Sequence, residues 1–254
     1  MKKYLSILFC ALFSFGLTLC AQTKKLPVEI NSIHTKNIIT LKYNAKNQLI
    51  HFTEKGTVIY REFTLKYDKA NNQLIECLMN SDNGEMVVNS KFIYNNADYI
   101  MEEAKSSGKQ LRSKITEYNK IYIDNRGRFS KSMFEDGKMW EEPSYDSDNN
   151  LVKYLVYSAS GQVDIQSDYK FDTHKSIFSG IENLPLWFFA MQMNNMKWCG
   201  DFLGKNNAIE NTFQDARFGT ETIEITYEYD QDGYPVKQYY DGELAKEIKY
   251  ITVR

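Results

Sequence analysis

The sequence predicts an all-β protein, an antiparallel up-and-down meander of about 14 strands that closes or curls into a barrel, with one short helical insertion. Three observations carry this expectation. Runs of alternating apolar and polar residues recur along the chain, as at Thr222–Tyr229, where Ile223, Ile225, Tyr227 and Tyr229 share one face and Thr222, Glu224, Thr226 and Glu228 the other. The runs end in an aromatic residue followed by Asp or Asn. Glycine-bearing turns fall between these endings. Eighteen Tyr against four Pro among 254 residues fit strands better than helices.

Residues 1–21, MKKYLSILFCALFSFGLTLCA, come first and read as a signal peptide. Lys2 and Lys3 start it, an apolar run extends from Leu5 to Leu19, and Ala21 offers a small residue for cleavage. The run is shorter than the ~18–20 apolar residues that a membrane-spanning helix needs. Cleavage after Ala21 leaves a soluble exported chain. Lipidation at Cys20 is the alternative, disfavoured because Leu17-Thr18-Leu19-Cys20 places a bulky Leu next to the cysteine. Removing Lys2 and Lys3 leaves 29 basic residues against 33 acidic ones, a net charge of −4. That balance argues against nucleic acid as a partner.

Residues 22–36 are read as an N-terminal linker and 37–254 as the β-repeat barrel. The first series of turns is Tyr43-Asn44, Tyr67-Asp68, Tyr94-Asn95, Ile123-Asp124, Tyr145-Asp146, Phe171-Asp172 and Tyr229-Asp230, leading to new strands at Leu49, Leu74, Ile100, Phe129, Leu151, Ile177 and Val236. An Asp or Asn at such a point can bond the turn amides, and the ring before it can cover a cross-strand neighbour. The second series is Lys55-Gly56, Asn83-Gly84, Ser107-Gly108, Asp136-Gly137, Ser160-Gly161, Phe218-Gly219 and Asp241-Gly242. Asn-Gly and Asp-Gly are strong hairpin signals. A meander this long leaves two edges unless it curls, and open twisted sheets rarely exceed about ten strands.

The interval between Phe171 and Tyr229 is 58 residues, against 22–29 for the others, so it holds extra chain. Within it, residues 177–198 break the period of two and read as a short apolar helix starting near Leu184-Pro185. One reading makes this segment a plug packed against the sheet. The other makes it a mobile lid over an apolar ligand, with Trp187, Phe188 and Trp198 lining the site. The residues do not choose between them.

Export removes Cys10 and Cys20 and leaves Cys77 and Cys199. These two can pair in an oxidising compartment, or remain as separate buried thiols. Sequence does not bring their Cα atoms within disulfide reach. Charged residues inside strand segments, among them Arg61, Glu62, Glu76, Lys91, Lys153, Glu224 and Lys249, oppose a lipid-facing wall. The ending Val253-Arg254 lacks the terminal aromatic usual in outer-membrane barrels.

At its turns the chain resembles the tyrosine-aspartate repeats of large bacterial shell and toxin proteins, through Tyr227-Glu228-Tyr229-Asp230-Gln231-Asp232-Gly233 and Asp124-Asn125-Arg126-Gly127-Arg128-Phe129. With its leader, length and interruption before the last hairpins, it also resembles a family of secreted Bacteroidetes proteins of unknown function with a porin-like fold. Most units depart from the repeat by lacking its glycine, with Asn47, Asn72, Asp98, Asn149 or Lys175 near that place. The resemblance implies a porin-like barrel and carries over no functional residue.

No local motif points to catalysis. His34, His51 and His174 are scattered, and no spacing suits zinc. Asp146-Ser147-Asp148 and Asp230-Gln231-Asp232-Gly233 lack the twelfth-position Glu and the glycine placement of a calcium loop. The function expected is therefore an exported, non-enzymatic binding or interaction module without a cofactor. Its partner would be a protein, a glycan or a lipophilic ligand, and the mature chain is not expected to be an integral membrane protein. The alternatives are a lipophile-binding barrel gated by residues 177–198 and a carboxylate-based hydrolase of polysaccharide or peptide, which would need two acids close together, one with a raised pKa.

Overall fold

The computed structural model describes residues 24–253 except 58–59, 82–84, 95–98, 110, 112, 184–186 and 189–203. Among the described residues sixteen strands run in chain order: β1 (Lys24–Ser32), β2 (Asn37–Tyr43), β3 (Leu49–Lys55), β4 (Tyr60–Tyr67), β5 (Leu74–Ser81), β6 (Met86–Tyr94), β7 (Tyr99–Ser107), β8 (Ile115–Ile123), β9 (Phe129–Phe134), β10 (Met139–Tyr145), β11 (Leu151–Tyr157), β12 (Val163–Phe171), β13 (Ala208–Asp215), β14 (Gly219–Tyr229), β15 (Pro235–Tyr240) and β16 (Glu243–Val253). Each pairs antiparallel with its neighbours in sequence, and β1 pairs with β16, so the sheet closes as a barrel.

Turn counting falls short by missing β1, which lies inside the stretch read as linker. β1 has no aromatic–Asx ending, and Pro27 with its adjacent bulge interrupts its alternation. Its place is nevertheless structural. Lys24 to Ser32 zip against Val253 to Lys246, and the ion pair Glu29–Lys249 (2.8 Å) crosses the seam. A second correction concerns Ile177, which begins no strand. After Phe171 the chain leaves the wall and returns only at Ala208.

The aromatic–Asx turns gather at one end of the barrel, where even strands hand over to odd ones. Their carboxylates and amides close the turns from within. Asp124 Oδ1 accepts from the amides of Arg126 and Arg128 (2.9 Å each), Asp146 Oδ1 from Asp148 (2.9 Å) and Asn150 (2.8 Å), and Asp230 Oδ1 from Asp232 (2.9 Å) and Tyr234 (3.0 Å). The calcium-like acidic turns thus spend these oxygens on backbone. Where the repeat's glycine is missing, Asn47, Asn72 and Asn149 take the left-handed conformation (φ 60°, 59° and 70°) that Asn tolerates better than most residues.

The aromatic residues at this end do more than cover neighbours. Tyr67 Oη donates to the Leu49 carbonyl (2.8 Å), Tyr94 to Leu74 (2.9 Å), Tyr227 to Ala208 (2.7 Å) and Tyr250 to Pro235 (2.9 Å). Tyr43 donates to Pro27 in the same way. A tyrosine near the end of one strand thereby fastens the carbonyl at the start of the strand before it, beside the bulge that frees that carbonyl from the ladder. Tyr67→Phe is expected to lower stability by about 1 kcal/mol, because the buried Leu49 carbonyl loses its donor. Urea unfolding measures this, and an unchanged midpoint would show that the bond adds nothing.

Alternation sorts the wall into two faces. Inward lie Leu26, Leu49, Phe52, Phe63, Leu74, Phe92, Ile100, Ile121, Phe129, Leu151, Tyr154 and Ile225, all buried, with Phe52 and Phe63 stacked at 4.3 Å. Outward lie cross-strand ion pairs: Lys66–Glu76 (3.4 Å), Lys153–Asp168 (3.4 Å), Lys170–Glu210 (2.9 Å) and Lys237–Glu228 (3.0 Å). Such exposed pairs contribute little stability. Their significance lies in where they stand.

The insertion between β12 and β13 crosses the aromatic–Asx mouth. Ile177, Phe178 and Ile181 are buried, Gly180 packs so closely on β1 that an added Cβ would lie 1.9 Å from the Lys25 carbonyl oxygen, and the Glu182 amide donates to the Asn47 carbonyl (3.2 Å). Trp187 and Phe188 are helical and reach β6, where their rings stand edge-on to Phe92 at centroid distances of 4.8 and 6.1 Å. The rest of the expected helix lies outside the described residues.

Candidate functional site

Two places in the barrel concentrate polar chemistry: a groove on the wall at β12–β14, and a belt of buried polar side chains facing the lumen.

The groove encloses about 700 Å³, and Lys170, Asp172, Glu210, Glu224 and Asp241 give it its charge, with His174 also in its lining. Strand alternation places Lys170, Glu210 and Glu224 in one row across three strands, since Lys170 pairs in register with Glu210 and Glu210 with Glu224. Lys170 neutralises Glu210. Glu224 faces Glu210 directly, an unfavourable juxtaposition of like charges. At the end of the groove the His174 ring stacks on Tyr229 (4.2 Å), and His174 Nδ1 lies 3.4 Å from Asp172 Oδ2. Tyr229 Oη donates to the same carboxylate, and burial together with this bond pushes the Tyr229 phenol well above its usual pKa. Asp172 Oδ1 meanwhile accepts from the amides of His174 (3.0 Å) and Asn207 (3.1 Å), which ties the start of the insertion to its end.

The lumen belt includes the buried Ser90, Glu102, Ser132 and Glu141 and the half-buried Asn119, on the consecutive strands β6 to β10. Glu141 is 0% exposed; its Oε2 accepts from Ser132 Oγ (2.8 Å), while Oε1 has no hydrogen-bond partner. Burial pushes its pKa up to about 7, against the lowering effect of Ser132 and Tyr154 and with a further rise from the charge of Glu102. Glu102, bonded by Asn119 Nδ2 (3.0 Å), is raised by burial as well. These two acids have raised pKa values, as a carboxylate hydrolase requires of one, but both are enclosed by the wall rather than placed in a cleft.

The residues singled out from the sequence are dispersed. Trp187 and Phe188 are buried against Phe92, whereas Trp198 lies outside the described residues. Cys77 is a buried thiol on β5 whose pKa is raised, first by burial and then by Glu102 and Glu76, and Cys199 lies outside the described residues. Residues 1–21, with Cys20 and Ala21, also lie outside them. His34 sits in the β1–β2 turn, and His51 on β3 has its Nε2 3.6 Å from Glu62. Among the described residues no group of three or more His, Cys, Asp and Glu is placed to hold a metal ion.

Sequence reasoning passed over Glu102, Glu141 and the Asp172–His174–Tyr229 cluster. A signal for the first two was present. Glu102-Glu103 and Glu141-Glu142 are adjacent acids within strands, so one of each pair must face inward. The cluster had no such mark, because Tyr229 lies 57 residues from Asp172.

No family model and no curated protein matches the chain. Among solved structures it is similar to a porin-like protein from Bacteroides uniformis (TM-score 0.48, 13% identity, covering 91% of this chain and 96% of that one). It is also similar to a porin-like protein from Bacteroides vulgatus (TM-score 0.41, 11% identity, 89% and 98%). The assignment of this chain as a closed sixteen-stranded antiparallel barrel rests on its own strand pairing.

Proposed function

We propose that the chain is an exported, water-soluble barrel that acts as a non-enzymatic binding module, reached by its partner from the outer wall and rim. The observation that carries this reading is the polarity of the wall. A barrel in a membrane presents an apolar band about 25 Å tall to lipid and a polar interior to water. Here most of the large apolar side chains face inward; Ile38, Leu78, Ile93, Val163, Ile209 and Ile251 are exposed on the strands, but ion pairs stand among them on the outside, at Lys66–Glu76, Lys153–Asp168, Lys170–Glu210, Lys237–Glu228 and Lys249–Glu29. Charged side chains at the depth of a bilayer core carry a penalty of ~2–4 kcal/mol each for Lys or Arg, far more in sum than a thin apolar fringe returns. Burial of Trp187 and Phe188 in the mouth supports a plug rather than a conduit, and export follows from residues 1–21 read as a leader.

The test is to produce residues 22–254 without detergent and follow them by gel filtration and liposome flotation. A monodisperse protein that stays in the bottom fraction and passes no current across a planar bilayer is expected. Recovery only in detergent, or conductance on reconstitution, would overturn the reading.

A further inference from the structure

β14 rises above its neighbour. From Gly219 to Glu224 it pairs only with β13, and its pairing with β15 begins at Ile225 and runs to Tyr229. The β15–β16 hairpin turns back at Asp241 and Gly242, so the segment Gly219–Ile223 stands past the hairpin tip by roughly 16 Å, at about 3.3 Å per residue. Among the described residues no strand covers that side of β14.

Asp241 marks where the edge begins. The Glu224 amide donates to Asp241 Oδ1, and the Asp241 amide donates to the Glu224 carbonyl (2.9 Å each). Glu224 therefore turns both backbone groups toward the open side. Backbone groups alternate between the two sides of a strand, so Thr222 and Thr220 direct their N–H and C=O the same way. That is one donor and one acceptor at each of two residues, in ladder spacing, with no strand paired to them among the described residues.

The same side of the wall carries a surplus of negative charge. Among the residues lining the adjoining groove, Asp172, Glu210, Glu224 and Asp241 are opposed by a single lysine, Lys170, already bound to Glu210. The direct facing of Glu224 and Glu210 gives nothing to the fold, and a cation between them would relieve it. β8 offers a contrast. Its Ile115–Tyr118 segment is likewise paired on one side only, yet Lys114 and Glu117 there leave no surplus of either sign.

We propose that the open edge of β14 at Thr220–Glu224 docks an extended peptide strand bearing Lys or Arg on alternate residues, the backbone pairing with Thr220 and Thr222 and the cations meeting Glu224, Glu210 and Asp241. This rests on the binding-module reading and names the partner's chemistry. Main-chain pairing supplies affinity in such strand addition, and the alternate side chains supply selectivity.

The test uses the soluble mature protein and a short capped peptide alternating lysine and valine, followed by fluorescence anisotropy. Saturable, salt-sensitive binding is expected. A peptide N-methylated on alternate amides, or one with glutamate replacing lysine, should bind at least tenfold more weakly. Thr222→Pro, which removes an edge donor where proline is tolerated, should cost at least tenfold, and Glu224→Gln about threefold with a shallower salt dependence. Should Thr222→Pro fail to fold, the N-methylated peptide still decides on the unaltered protein. Equal binding of the parent and N-methylated peptides, or no binding at millimolar peptide, would overturn the proposal while leaving solubility and the module reading intact. A concentration-dependent dimer that excludes the peptide would overturn it too, by assigning the edge to a second copy of the chain.

Discussion

Phe188→Ala is expected to destabilise the protein by about 3–5 kcal/mol, the largest single effect foreseen outside the strands. Phe188 is completely buried and meets Phe92 and Trp187 edge-on, each with a ring-centroid separation of 6.1 Å. Its ring joins the insertion to the wall at β6, six strands round the barrel from where the insertion leaves β12. Removing it opens a void among aromatic rings that the closed sheet is too stiff to collapse into. Guanidinium unfolding of the mature protein measures the loss. Trp187→Ala, 6% exposed against the same Phe92 at 4.8 Å, should behave alike and less than additively with it, because the two rings share a partner. A loss below about 1 kcal/mol for Phe188→Ala would mean that the segment rests on the mouth without filling it. The lid reading would then regain ground, and lipophile binding to residues 177–198 would become the experiment to make.

The second large effect is a fall in stability with rising pH, centred on Glu141. Its pKa stands near 7 in the folded barrel against 4.5 for the ordinary group. The sign follows from where the proton sits. Below about pH 4.5 the carboxyl is protonated in both states; between 4.5 and 7 the folded state holds a proton that the unfolded state has released; above 7 both are ionised. Stability from this group is therefore fully present below pH 4.5 and is lost as pH rises from there through 7, by roughly 3–4 kcal/mol at ~1.4 kcal/mol per pKa unit. Glu102, raised by burial on the same face of the wall, adds in the same direction. Glu141→Gln should flatten the pH profile of the melting temperature across this window and stabilise the barrel at pH 8, since the amide keeps a partner for Ser132 without a charge to desolvate. A profile unaltered by Glu141→Gln would assign the slope to other groups.

These two effects sit at opposite limits of what could be read in advance. Phe188 was legible as part of a greasy segment, and the choice between plug and lid depended on what it meets. That partner, Phe92, is nearly a hundred positions upstream, and only the closed sheet carries it to the mouth. Glu141 was legible in principle from the adjacent acids in Met139–Tyr145, since a strand cannot turn both outward. Its raised pKa was not, because burial by the rest of the wall raises it.

What the sequence determined by itself is local. Alternation, aromatic–Asx endings and glycine turns specify strands and hairpins within a few residues of themselves, because amide capping by Asp124 or Asp146 and the left-handed backbone at Asn47 or Asn149 need no distant partner. Those signals located most of the strands, but not β1, which has no such ending, nor the start of β13, which the turn at Phe171-Asp172 placed at Ile177 rather than Ala208. Tertiary structure alone decided the rest. Closure depends on β1 meeting β16, more than two hundred residues away, and no local pattern encodes that pairing. The open side of β14 exists only because β15 stops short beside it, and the groove's charge only because three strands align Lys170, Glu210 and Glu224 in one row. Register across strands is set by the whole ring of pairings, so properties that depend on register, including the candidate binding edge, appear only once the ring is complete.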